Sequence, residues 1–528
     1  MLATVGSPAN LSAIVDRHVA AGLAGKPAFI AADATLTYEQ LHRQINRAGR
    51  LLCELGVRRE ERILLVLDDT TVFPIVFLAA LRIGAVPVPV SVLDRADNFR
   101  HYVADTYTQL VVCDAECLPR LRDAVGGGDL RFVVRGGEGE DVTELDAGLA
   151  AQSPELDPVA THDDDMAFWL YSSGSTGKPK GVVHLHHDIP VTCETYARRI
   201  LELSGDDVTF STTKLFHAYG LGNGLSFPLW FGATSVLMTG PTKPPAILDM
   251  LRRHRPTVFF SVPGLYAALA RDPAADGALD SVRLCASAAE PLAPQVIRRW
   301  RERFDLDIVD GIGSTELLHI YCSNRPGAIE PGTTGRPVPG YDLRLVGDDG
   351  AILDGPAIGE LEVRGDSCAA QYWHQHAKTR RSMRGEWFAT GDRYERREDG
   401  AYAYVGRVDD MLKIGGLWVS PIDMEHVLSE HPRVVAVGVV GVTIDEASRI
   451  AAVVECDGGP GDAALAEELR DWCRHRMRRY EYPYAVRFVD ELPRTLTGKV
   501  QRFRLRDEVT QAPEQLFVAA TATPPRTL

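Results

Sequence analysis

Hydrophobic and polar positions change period several times along the chain, and each change predicts an element. Leu41, Ile45, Ala48, Leu52 and Leu55 recur at helical spacing. Thr37-Tyr38-Glu39-Gln40 stands before them as a capping box, and Gly56 follows as a stop. The run 62–67 is apolar and suits a buried strand, 72–83 reads as helix, and 85–90 and 109–113 read as strands. Strands alternating with helices predict an α/β fold with largely parallel sheets. The segment 136–165 is acidic, with Gly and Pro, and reads as a connection holding one short helix over 142–151. A further apolar strand follows at 166–170. Near the other end a second pattern appears: strands at 434–442, 450–455 and 486–489, with an amphipathic helix over 463–477. That stretch has the size of a small independent domain. The residues after Gln511 read as a loose tail, and no internal repeat is visible.

Composition narrows the classes. A chain of 528 residues exceeds one simple core, so two to four domains or subdomains are expected. A formal net charge of -15 argues against wrapping nucleic acid, which needs a basic face. The nine cysteines are scattered, and Cys113 and Cys117 have no matching second pair, so neither a zinc site nor a disulfide framework is expected. The first 18 residues carry no basic segment followed by an apolar run, so no signal peptide is read. The most apolar stretch, 72–93, is broken by Arg82, Gly84, Pro87 and Pro89, and reads as buried helix plus strand rather than a membrane span. A cytoplasmic enzyme is the expectation.

Candidate chemistry concentrates first after the strand at 166–170. Ser172, Ser173, Gly174, Ser175, Thr176, Gly177, Lys178 and Lys180 form a loop rich in glycine, hydroxyls and lysine. Glycines let backbone N–H groups approach a phosphate, hydroxyls add donors and lysines add positive charge. The loop is not a Walker A motif, because Ser172 and Pro179 stand where that motif needs Gly and Ser or Thr. His184, His186 and His187 follow; no Cys or carboxylate partner is read at ligand spacing beside them, so a metal site is discounted.

The loop resembles the phosphate loop of the adenylate-forming superfamily, which holds acyl-CoA synthetases, peptide-synthetase adenylation domains and luciferases. The resemblance runs from about Leu36 to Arg504. It includes Gly313-Ser314-Thr315-Glu316, Thr390-Gly391-Asp392, Gly406-Arg407-Val408-Asp409-Asp410 and Pro493-Arg494-Thr495-Leu496-Thr497-Gly498-Lys499. It implies a large N-terminal domain of layered α/β subdomains, 1–408, and a small mobile α+β C-terminal domain, 409–528, turning about Asp409. It also implies ATP, Mg²⁺ and coenzyme A. By the same resemblance Lys499 bridges carboxylate and phosphate oxygens, Glu316 serves Mg²⁺ beside Thr315, and Asp392 and Arg407 contact the ribose or phosphates. Ala289, Glu290, Pro291, Gly311, Ile312, Gly313 and Ser314 join the nucleotide side. Asp310 either accepts from the adenine amino group or caps a turn. Lys413, Gly415 and Gly416 resemble the segment presented for thiol transfer, though the glycine pair also fits a plain hairpin turn.

The segments Phe216-His217-Ala218-Tyr219-Gly220-Leu221-Gly222-Asn223 and 313–320 resemble the benzoate–CoA ligase branch. The branch places the acid pocket around them, so Ala218, Tyr219, Gly220, Ala288, Ile312, Gly313 and His319 are expected to line a flat apolar slot, with His217 as a gate toward the thiol. His319 reads either as a partner for a ring hydroxyl or amino group or as a satisfied structural histidine. Ala289 departs from the glycine usual in relatives, an added methyl that narrows the pocket or shifts the loop. The acceptor is coenzyme A or a phosphopantetheine carrier protein. The run 474–479 reads either as a basic patch for the coenzyme or as a solvated helix face. A homodimer is compatible, nucleic acid and membrane are not expected partners, and a degenerate nucleotide-binding protein is disfavoured because Lys499, Glu316 and Asp392 coexist.

Overall fold

The helix announced by the capping box is present as Tyr38–Glu54, with Thr37 accepting from the Gln40 amide and Gln40 reaching back to the Thr37 amide. The fold is given by a computed structural model that describes residues 10–126, 130–137, 139, 141–172, 178–408, 412–414, 417–444, 447–459, 461–477, 482–494 and 500–519. The chain divides into two units. One comprises 1–292, 296–343 and 362–389; the other comprises 293–295, 344–361 and 390–528.

In the first unit, nine of the described strands form one sheet. Its middle is parallel: Pro27–Ile30, Thr234–Val236, Val208–Ser211, Val258–Ser261, Leu284–Ser287 and Ile308–Gly313 pair in that order. Ile320–Ser323 and Arg336–Pro337 extend one edge antiparallel. Phe210, Phe259, Tyr266, Cys285, Trp300 and Ile308 are fully buried in the core on this sheet. The Tyr266 hydroxyl donates to the carbonyls of Phe259 and Ala286, at 3.0 and 2.9 Å, which ties two neighbouring strands. A second, parallel sheet runs in the order Val86–Pro89, Arg62–Val66, Leu110–Asp114, Arg131–Arg135 and Val142–Glu144. Beside it the helix Val72–Arg82 is buried along its whole length, which explains its lack of a polar face. A three-stranded sheet joins Met166–Ser172, Lys180–Leu185 and Gln371–Tyr372.

The second unit includes a sheet of Val434–Ile444, Ala447–Cys456, Ala485–Val489 and Phe517–Val518, with helices Pro421–Ser429, Ala463–Arg474 and Arg502–Gln511 in the same unit. Two expectations need correction. The helix expected over 142–151 begins later, as Leu145–Ala150, because Val142–Glu144 is taken as an edge strand beside Phe132–Val134. The stretch after Gln511 is not loose as far as 519. Phe517 and Val518 pair with Val486 and Ala485, the Ala519 amide donates to the Tyr484 carbonyl, and Ala519 is buried. All nine cysteines are free thiols, six of them buried. Among the described residues no helix is long and apolar enough to cross a membrane.

Candidate active site

Parallel strands end with their carbonyls and following loops on one edge, and ligands of open α/β sheets lie at that edge. Three expected segments follow such ends here. His217 to Gly220 come after Val208–Ser211, Ala288 to Pro291 come after Leu284–Ser287, and Ser314 to Glu316 come after Ile308–Gly313. His217 precedes the short helix Ala218–Leu221 and packs its ring against Phe216, with centroids 4.1 Å apart. Glycine is required at two positions. A Cβ on Gly220 would lie 2.0 Å from the Lys214 carbonyl oxygen, and one on Gly313 would lie 2.4 Å from that of His319. Ala289, by contrast, sits at φ 82°, in the left-handed region, and is exposed. The departure from glycine therefore carries backbone strain.

The Glu316 turn is tightly held. Residues Thr315–Leu317 form one 3₁₀ turn, capped by the Ser314 hydroxyl accepting from the Leu317 amide at 3.3 Å. The Glu316 carboxylate is buried and accepts from the Tyr372 hydroxyl at 2.8 Å. Burial and that carboxylate push the Tyr372 hydroxyl above its ordinary pKa, so it stays a phenol and a donor. Lys180 Nζ lies 4.9 Å from the centre of the Tyr372 ring, a cation–π distance. Sequence reasoning missed Tyr372. Its only local sign is an aromatic in a short strand, and its link to Glu316 spans 56 residues.

His319, Tyr219, Tyr196 and Phe227 form an aromatic cluster. Ring centroids from His319 are 5.4 Å to Tyr219, 5.2 Å to Tyr196 and 4.5 Å to Phe227. Burial drives the His319 pKa down to about 3, so the ring is neutral. Neither ring nitrogen meets hydrogen-bond geometry among the described residues. Burial likewise holds the Tyr219 hydroxyl well above its usual range. Asp310 is buried, and its carboxyl is pushed well above the carboxylate range by burial, with smaller opposing pulls from the Ser287 hydroxyl and the Gly311 amide. Its Oδ1 has no protein partner among the described residues, which leaves an acceptor unused. Gly311 and Ile312 pair with Ser323 and Cys322 in the adjoining antiparallel strand.

The phosphate loop is bracketed by a hairpin in which Ser172 pairs with Lys180, and Lys178 is exposed. Ser173, Gly174, Ser175, Thr176 and Gly177 lie outside the described residues, as do Asp409, Gly415, Gly416 and Lys499. The strand Leu412–Ile414 contains Lys413 and pairs antiparallel with Leu417–Val419. Arg494 and Val500 pair across the segment holding Lys499.

In the second unit, Asp392 and Arg407 face each other across the antiparallel pair Trp387–Arg396 and Tyr402–Arg407. Arg407 donates to the Asp392 carboxylate at 3.0 Å and to the Thr390 carbonyl at 3.1 Å. Gly391 sits at φ 73°, and a Cβ there would lie 2.9 Å from the Arg407 guanidinium. Arg474 pairs with Glu467 and Asp471, and Arg476 covers the Trp472 ring. That favours the helix-face reading of those two arginines. The reading of the histidines is corrected in one respect: Asp188, four residues after His184, is a carboxylate partner for it at 2.7 Å.

With this geometry in place, the comparisons with known proteins become decisive. The AMP-binding enzyme family matches residues 16–373, and the AMP-binding enzyme C-terminal domain matches 423–499. The chain is 44% identical over 502 residues to a benzoate–CoA ligase of Thauera aromatica, covering 93% of this chain and 94% of that protein. It is 44% identical over 504 residues to a 4-hydroxybenzoate–CoA/benzoate–CoA ligase of Rhodopseudomonas palustris, covering 93% of each. Among solved structures, the anthranilate CoA ligase AuaEII in complex with anthranoyl-AMP superposes with a TM-score of 0.93 at 36% identity, covering 97% of this chain and 100% of that one. The family match spans more than half of the residues and the relatives nearly all of them: the chain belongs to the AMP-binding, adenylate-forming enzymes, in the benzoate–CoA ligase branch, and is an AMP-forming acid–CoA ligase.

Proposed function

We propose that the protein activates an aromatic, benzoate-like carboxylic acid with ATP and passes the acyl group to coenzyme A. The carboxylate oxygen attacks the α-phosphorus, the bond to the β-phosphate oxygen breaks, and pyrophosphate leaves. The thiol then attacks the acyl carbon, gives up its proton, and AMP leaves. The observation that carries the aromatic reading is the cluster in which the rings of Tyr219 and Phe227 pack at tilted angles against the buried His319, with His319 and the Tyr219 hydroxyl both uncharged. An uncharged, aromatic lining suits a flat ring and rejects a second charge. The relatives named for benzoate, 4-hydroxybenzoate and anthranilate support the same class.

In this reading Asp310 accepts from the adenine amino group through its unused oxygen, and the loop from Ser172 to Lys180 receives the phosphates. Glu316 and the Thr315 hydroxyl offer hard oxygen ligands. Among the described residues no group of three or more His, Cys, Asp or Glu is set to hold a metal. That donor set fits Mg²⁺, which takes one or two carboxylates and completes its shell with substrate phosphates and water. Bound there, Mg²⁺ would supply charge neutralisation at the phosphates. Lys499 neutralises the carboxylate and α-phosphate as they approach. Two like unit charges about 4 Å apart repel by about 4 kcal/mol at an effective dielectric near 20, so a cation at that point is needed. Asp392 accepts the ribose hydroxyls and Arg407 serves the ribose or phosphate. Asp409 is the pivot between 1–408 and 409–528, and Lys413 with Gly415 and Gly416 belongs to the thiol-transfer state.

The test is a panel of substituted benzoates and aliphatic acids scored by pyrophosphate release, with and without coenzyme A. Release confined to aromatic acids, with acyl-CoA formed only when the coenzyme is present, is the expected result. Release without acyl-CoA would replace the coenzyme by a carrier protein. Release with aliphatic acids alone would remove the aromatic reading.

A further inference from the structure

His184 lies on the strand that returns from the phosphate loop, is fully buried, and stacks on Phe168 with centroids 5.1 Å apart. Its Nδ1 is 2.7 Å from Asp188 Oδ2, and its Nε2 is 2.8 Å from the Thr315 carbonyl oxygen, 131 residues away. A carbonyl and a carboxylate oxygen both accept, so each ring nitrogen holds its contact as the donor. Asp188 is also fully buried, and the same carboxylate oxygen accepts the Leu185 amide at 3.1 Å. The ring is thereby fixed from both sides, in the manner of the outer partners that orient ligand groups at metal sites.

The Thr315 carbonyl is one of three consecutive carbonyls that are pinned. Glu316 O accepts the Ala369 amide at 2.8 Å, and Leu317 O accepts the Ser367 hydroxyl at 2.8 Å. The turn then leaves through Leu318 at φ 64°, ψ -35°, a strained conformation for a non-glycine residue that persists only when its surroundings over-determine it. The same three-stranded sheet carries the hairpin that brackets the phosphate loop, His184, and Tyr372 with its bond to the Glu316 carboxylate.

We propose that His184, oriented by Asp188, is a positioning residue for adenylation: it locks the Thr315–Leu317 turn to the strand Lys180–Leu185, so that the Thr315 hydroxyl and Glu316 carboxylate stand in fixed register with the paired strands that flank the candidate phosphate loop. The proposal rests on the reading of Glu316 given above. It assigns a role to a histidine that touches neither acid nor nucleotide, and it explains why a buried His–Asp pair sits beside this loop at all. A pair serving only the core would leave the kinetics of the folded enzyme unchanged.

The experiment compares wild type with His184→Ala, His184→Gln and Asp188→Asn. Pyrophosphate release is measured with benzoate, or with whichever panel acid is best, over a range of MgATP and then of acid; thermal midpoint and MgATP binding by calorimetry are measured alongside. Glutamine keeps an N–H donor at the reach of Nε2. His184→Ala is expected to raise KM for MgATP and lower kcat, together by about tenfold or more, with KM for the acid within about twofold. His184→Gln is expected to recover most of that loss, and calorimetric MgATP affinity is expected to follow the same order. If His184→Ala does not fold, Asp188→Asn and His184→Gln decide: the first weakened toward MgATP and the second near wild type supports the role. Kinetic constants within twofold of wild type in the alanine variant, or a glutamine variant as weak as alanine, or equal losses toward acid and MgATP, would overturn it. An inactive wild type across the whole panel would strike the proposed function itself, and an active wild type with indifferent variants would strike this inference alone.

Discussion

Two acidic site candidates, Glu316 and Asp392, are held by their surroundings in different ways. Around Glu316 several polar groups are held by distant partners: the carboxylate by Tyr372, the three carbonyls of its turn by His184, Ala369 and Ser367. Asp392, by contrast, is held by Arg407, which is itself a site candidate, and the Arg407 side chain is 44% exposed. The first is preorganised by bonds that join distant parts of the chain. The second is an ion pair whose guanidinium reaches solvent while Asp392 is as buried as Glu316. The exposed guanidinium is the half of the pair that can change partners most readily. The contrast separates a rigid catalytic framework from an exchangeable contact.

The full effect of a catalytic cation sets the scale for that contrast. Lys499→Ala is expected to lower adenylation by about 10²–10³, while thiolysis of a supplied acyl-adenylate stays within a few-fold; rapid-quench assays of each half-reaction check it, and equal loss of both steps would remove the assigned role. Next come the surroundings of Glu316. Tyr372→Phe leaves a buried carboxylate oxygen unpaired, a cost of about 1–3 kcal/mol. It is therefore expected to lower kcat for pyrophosphate release by about tenfold and to lower the thermal midpoint measurably. The Asp392–Arg407 pair should respond less. Arg407→Ala is expected to raise KM for ATP by about threefold and to change unfolding free energy by less than about 1 kcal/mol, read by steady-state kinetics and denaturant titration. Larger stability losses at Arg407 than at Tyr372 would erase the distinction between the two. Smallest is Ala289→Gly. Relief of the left-handed strain at φ 82° is partly offset by the greater freedom of glycine in the unfolded chain. A rise of about 1–2 °C in thermal midpoint is expected, with no loss of activity.

The same contrast accounts for what was legible in the sequence. Local chemistry announced itself. The capping box at Thr37 and the stop at Gly56 bound their helix, and the glycine and hydroxyl pattern after the strand Met166–Ser172 marked the candidate phosphate loop, flanked by the paired Ser172 and Lys180. Glu316 and Asp392 stood out because short motifs surround them. The framework was hidden because its bonds join distant parts of the chain: Tyr372 to Glu316 and His184 to Thr315 leave no periodic trace. The three histidines were visible as a cluster but not as a clamp. Asp188 gives His184 a partner four residues on, and the carbonyl at Thr315 has no side-chain signature at all. Phe517–Val518 escaped for another reason: two residues are too few to show a strand period, and only pairing with Ala485 and Val486 defines them.

The claim on which the rest depends is that a mixed anhydride with AMP forms on this protein. Purified enzyme incubated with ATP, Mg²⁺ and benzoate, without coenzyme A, should yield benzoyl-AMP detectable by mass spectrometry and should exchange labelled pyrophosphate into ATP. Coenzyme A added afterwards should convert the adenylate to benzoyl-CoA and AMP. Folded protein that forms no acyl-adenylate with benzoate or any substituted benzoate would contradict the account.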